Sequence, residues 1–119
     1  MKESVIREKS FNFALKIVNL CKYLKTEKQE YVLSKQILRS GTSVGAMIRE
    51  AEQAESNADF IHKLSIALKE ANETDYWLEL LFRSDYIENS HYQLMCNDLV
   101  EILKLLTSII KTSKRKQNV

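Results

Sequence analysis

Apolar residues recur at intervals of three and four along almost the whole chain, the spacing of α-helices that each bury one side. Over about 5–24, Phe11, Ala14, Val18 and Cys21 form one stripe and Phe13, Ile17, Leu20 and Leu24 another, together a wide apolar arc. A polar break at Lys25 to Gln29 precedes a second helix expected over about 30–55, with Leu33, Ile37, Gly41, Val44, Ile48 and Ala51 in line. Ser56 or Asn57 can cap a third over about 57–83 by accepting hydrogen bonds from its first amides. Its main stripe is Ile61, Leu64, Leu68, Ala71, Leu78 and Phe82, while Ile66, Trp77 and Leu80 fall on another side. Two apolar sides predict two packing partners. After Ser84 to Asn89, Ser90 and Gln93 resemble a capping box opening a fourth helix over about 90–112, with Met95, Leu99, Ile102, Leu106 and Ile109 inward and fraying beyond Lys111. The expectation is a single all-α domain, an antiparallel up-down-up-down four-helix bundle.

The second helix carries the most informative residues. Gln36, Arg39, Ser43 and Glu50 line one narrow polar strip beside its apolar one. With Glu70 and Glu73 of the third helix they predict a partly buried network that fixes register, because desolvation offsets most of the attraction between such charges. Gly41 and Gly45 each cost about 1 kcal/mol in a helix interior relative to alanine, so they call for close approach by another helix. Together with Ile66, Trp77 and Leu80 they make up the candidate subunit interface. Asp75 projects from the main stripe of helix three and predicts a basic partner or a solvated position.

Composition narrows the picture. The 119 residues include no proline and only two glycines, which favours long helices over turns. Cys21 and Cys96 stand far apart without metal spacing and read as packed, reduced thiols, which places the chain in the cytoplasm. The N-terminal stretch is too charged for a secretory signal, and no stretch approaches the apolar length of a membrane span. Net charge is +2, yet Lys111, Lys114, Arg115 and Lys116 lead into and fill a basic tail over 113–119 that is free of acidic residues.

Candidate chemistry is sparse. The carboxylates of helices two and three have no nucleophile or phosphate-binding loop beside them, so no catalytic residues are expected. Asp59 with His62 and Glu88 with His91 have the carboxylate-x-x-His spacing of di-iron bundles, but His62 falls on a polar side and Glu88 precedes its helix. Neither a metal nor another cofactor is expected.

The run QILRSGTSVGAMIREAE from Gln36 to Glu52, followed by ADFIHKLSIALKEANETDYWLELL from Ala58 to Leu81, resembles the bacterial 23S rRNA intervening-sequence proteins. The resemblance covers most of the chain and maps onto Gln36, Arg39, Ser43 and Glu50, and onto Phe60, Leu64, Ala67, Glu70, Glu73, Trp77 and Leu78. It implies a four-helix bundle assembled into a homopentamer. A similar bundle serves as the accessory protein of diversity-generating retroelements, a positively charged pentamer that works with nucleic acid. The chain departs from basic members by its near balance of charge, and from others by lacking a proline and a glycine around Gly45 and Ala51. The expected function is a non-enzymatic, self-associating scaffold or adaptor that avoids membranes. The alternative is an RNA- or DNA-binding oligomer contacting phosphate through Lys111, Lys114, Arg115 and Lys116.

Overall fold

A computed structural model describes residues 2–117 of the chain. Helix α1 spans Lys2–Glu27, α2 Leu33–Ala51, α3 Asn57–Arg83 and α4 Asn89–Gln117. At 1.5 Å per residue the three longer helices run roughly 40 Å, so within an envelope of 52 × 22 × 20 Å all must lie along the long axis. Cross-helix contacts give their directions. Lys9 meets Glu101 and Lys16 meets Asp98 between α1 and α4, Arg39 meets Glu70 and Glu50 meets Lys63 between α2 and α3, and Asn57 meets Ser113 between α3 and α4. Each pair descends on one helix as it climbs on the other. The helices form an antiparallel square in which neighbours in the chain pack together and α1 closes against α4.

The core takes one stripe from each helix: Phe13, Ile17, Leu20 and Leu24; Ile37, Val44 and Ile48; Leu64, Ala67, Ala71, Leu78 and Leu81; and Met95, Leu99, Ile102 and Leu106. Two corrections follow. Phe11, assigned from the sequence to a core stripe, is 47% exposed on the outside of α1. On α3 the buried line runs through Ala67, Thr74 and Leu81 rather than Leu68 and Phe82, which are half-buried. This rotation carries Asp75 out into solvent and resolves its apparent place in the core.

Chain reversal happens without glycine. Gln29 and Asp85 adopt left-handed φ angles of 50° and 67° just past α1 and α3. Behind each, the next amide closes the helix end: Glu30 N–H donates to the Leu24 carbonyl at 2.9 Å and Tyr86 N–H to Leu81 at 2.9 Å. Helix α2 starts three residues later than the sequence pattern indicates because Glu30 stays outside it. Its buried carboxylate accepts from the amides of Val32, Leu33 and Ser34 at 3.2, 3.1 and 2.8 Å and so satisfies the first turn. At the far end of the bundle α4 does not fray at Lys111 but continues through Gln117, so most of the expected basic tail is helical. Positions 118 and 119 of that tail lie outside the described residues.

Candidate functional site

The edge where α2 meets α3 is built in two layers. Inside, Thr74 donates to the Glu70 carbonyl at 2.8 Å while its hydroxyl oxygen lies 3.0 Å from Ser40 Oγ, a fully buried polar contact between the helices. Outside, Arg39 reaches across from α2 to two carboxylates one turn apart on α3. Its Nη1 meets Glu70 Oε2 at 3.1 Å, and Nη2 bonds Glu73 Oε2. The same Glu73 oxygen accepts from Trp77 Nε1 at 2.9 Å, since positions 70, 73 and 77 share one side of α3. One carboxylate therefore orients both an arginine and the chain's single tryptophan.

Arg39 is 48% exposed, which limits each ion pair to about 0–1 kcal/mol. The cluster defines geometry more than it adds stability. Of the six residues expected in the network, Arg39, Glu70 and Glu73 come together. Ser43 spends its hydroxyl on the Arg39 carbonyl at 2.6 Å, and Gln36 lies half-buried on the same edge. Glu50 stands three turns further along and pairs with Lys63 at 3.2 Å instead. A shared helical strip on α2 is necessary but not sufficient for convergence.

Ile66, Trp77 and Leu80 are half-buried on this side of α3, Ile66 standing three turns from the indole at the level of half-buried Met47 on α2. Gly41 belongs elsewhere. It is buried against α1 of the same chain, where a Cβ would come within 2.7 Å of Ile17 Cγ1, so it has no surface to give a second subunit. Gly45 also faces α1, with a Cβ position 3.4 Å from the Ser10 carbonyl oxygen, and is half-exposed in a shallow groove with Phe11, Ala14, Thr42 and Ala46. There the Arg49 guanidinium lies 5.3 Å from the Phe11 ring centre. The sequence reading missed this groove because Phe11 fits helical core spacing.

The thiols are not poised as nucleophiles. Burial pushes Cys21 up to about 11, and it donates to the Ser34 carbonyl at 3.3 Å. Cys96 is also raised by burial, beside Tyr92, whose phenol burial lifts to about 12 and whose ring stacks on Phe82 at 4.4 Å. Among the described residues no three His, Cys, Asp or Glu side chains gather as a metal set. Asp59 instead accepts from the Glu55 amide at 3.2 Å while its own amide donates to Ser56 Oγ at 3.0 Å, and Glu88 lies before α4. Lys111, Lys114, Arg115 and Lys116 are all exposed on the last turns of α4. No helix among the described residues is long and apolar enough to cross a membrane.

Comparison with known proteins agrees with this architecture. A crystal structure of a protein of unknown function from the S23 ribosomal protein family of Bacteroides thetaiotaomicron VPI-5482 is 65% identical, covering 93% of this chain and 99% of that one, with a TM-score of 0.92. No curated protein matches. The family described as 23S rRNA-intervening sequence protein matches over residues 2–108, which takes in α1, α2, α3 and α4 as far as Ser108. The chain thus belongs to the 23S rRNA-intervening sequence protein family.

Proposed function

We propose that this protein is a non-enzymatic helical scaffold that associates with copies of itself along the α2–α3 edge. The observation that carries the reading is the Arg39–Glu73–Trp77 cluster: an indole and a guanidinium, both partly exposed, held in fixed orientation by one carboxylate. Tryptophan and arginine dominate the binding energy of protein interfaces, and pre-ordering them lowers the entropy lost on contact. Half-buried Leu80, one turn along α3, and the Tyr76 ring, edge-on to the indole at 5.0 Å, add apolar surface beside this anchor. The family resemblance gives a homopentamer as the stoichiometry to test.

Light scattering coupled to size exclusion should return about five times the monomer mass of 13.9 kDa. Trp77→Ala should lower that mass toward one copy while far-ultraviolet circular dichroism stays helical. A wild-type chain that remains monomeric at tens of micromolar overturns the scaffold reading. A multimer indifferent to Trp77→Ala overturns the choice of edge.

A further inference from the structure

The end of α4 differs from the rest of the bundle in carrying cationic side chains with no acidic residue among them. Elsewhere six cations meet carboxylates, Arg7 with Glu52, Lys9 with Glu101, Lys16 with Asp98, Arg39 with Glu70 and Glu73, Lys63 with Glu50 and Arg83 with Glu79, while Lys22, Lys25, Lys28, Lys35, Arg49 and Lys69 are unpaired among the described residues but belong to or adjoin helices that carry acidic residues. Glu101, taken by Lys9, is the last acidic residue of the chain. Beyond it α4 carries Lys104, Lys111, Lys114, Arg115 and Lys116, all exposed and none in an ion pair among the described residues.

The helix orders them. Positions 104, 108, 111 and 115 step by four, three and four, so Lys104, Ser108, Lys111 and Arg115 form one stripe about 17 Å long. Lys114 flanks it. Ser108, the uncharged member, holds a further cation, because Lys2 at the start of α1 donates to its hydroxyl at 2.5 Å. Two helices thus contribute to one row of ammonium and guanidinium groups. The row depends on α4 being continuous to Gln117, which no unstructured tail would provide.

From this we infer that the Lys2–Lys104–Lys111–Arg115 stripe, with Lys114 beside it, is a binding face for the phosphodiester backbone of a nucleic acid. Its chemistry and dimensions fit a strand of regularly spaced phosphates, which cationic side chains engage by displacing condensed counterions. A membrane surface fits less well. The apolar side of α4 is spent in the core through Leu99, Ile102, Leu106 and Ile109, leaving nothing along this stripe to insert between lipids. No aromatic ring lies on the stripe, so contacts go to backbone rather than to stacked bases and binding is indifferent to sequence. The inference is independent of self-association, since one chain carries the whole stripe.

The test is fluorescence anisotropy with labelled RNA and DNA duplexes of roughly 20 base pairs, long enough to exceed the stripe. Four phosphate contacts give a slope of log affinity against log salt near about −3.6, or roughly a 150-fold loss from about 50 to 200 mM salt. The combined variant Lys104→Gln, Lys111→Gln, Lys114→Gln, Arg115→Gln should lose more than about tenfold in affinity at low salt. A control removing equal charge from exposed Lys22, Lys25, Lys28 and Lys35 should stay within about threefold of wild type. All eight side chains are exposed, so circular dichroism should be unchanged in both variants. Equal loss in the two variants, no wild-type binding to either duplex at low salt, or binding to phosphatidylserine vesicles in preference to duplex would each overturn the assignment.

Discussion

Gly41 and Gly45 are one helical turn apart and face the same helix, yet they predict opposite responses to a methyl group. At Gly41 a Cβ would meet three atoms of Ile17 at 2.7–3.0 Å, inside a core where Ile17 is fully buried and has nowhere to move. Overpacking of that kind costs about 1–3 kcal/mol, more than the roughly 1 kcal/mol of helix propensity that alanine restores. Gly45 is half-exposed and its nearest neighbour, the Ser10 carbonyl oxygen, sits at 3.4 Å, so there the propensity gain dominates. Urea denaturation should show Gly41→Ala losing about 1 kcal/mol or more and Gly45→Ala holding or gaining up to about 1 kcal/mol. Two equal losses would mean that α1 and α2 lie closer around Gly45 than described. The sequence marks both positions as costly and cannot say which is crowded, because crowding depends on the partner helix.

At the scale of elements, four helices were legible from apolar spacing, since the inward residues of α2 and α4 fall on uninterrupted stripes. Their ends were less so. Glu30 reads as a good helix residue, and only its carboxylate's three amide contacts reveal it as the group that starts α2 from outside. On α3 the core line passes through Thr74, whose hydroxyl is satisfied by Glu70 and Ser40; a polarity count places it outside and tilts the whole stripe. Of the candidate site, Arg39, Glu70 and Glu73 were legible because they reach across one helix contact, whereas Glu50 and the continuous basic end of α4 were not. Scarcity of glycine misled in a productive way. It signals few turns, yet α1 and α3 both end on a left-handed residue, Gln29 and Asp85, which costs roughly 1–2 kcal/mol for an ordinary side chain. Gln29→Gly and Asp85→Gly should therefore each stabilise the bundle by about 0.5–1 kcal/mol, less than the full strain because glycine also loosens the unfolded chain. Thermal melts showing either variant destabilised would place those residues in another backbone conformation.

The molecule as a whole is elongated. A compact chain of this length has a radius of gyration near about 13.5 Å, against 15.1 Å for the bundle. Its accessible surface of 7232 Å² likewise exceeds the roughly 6,700 Å² expected of a monomer of this mass. A square of parallel rods has no central helix, so every helix keeps an outer side, and those of α2 and α3 retain Trp77, Ile66 and Leu80 only half covered. If like copies cover that edge, assembly and folding are linked by mass action, and melting temperature must depend on protein concentration. For a pentamer a hundredfold rise in concentration adds about 2 kcal/mol per chain, which shifts the midpoint of a domain this size by roughly 5–10 °C. Trp77→Ala should flatten that dependence, and at low concentration the variant should melt somewhat below wild type, because the half-buried indole also packs on its own core and donates to Glu73. Calorimetry across two decades of concentration decides the matter: a wild-type midpoint that does not move means the edge faces water and the scaffold reading fails.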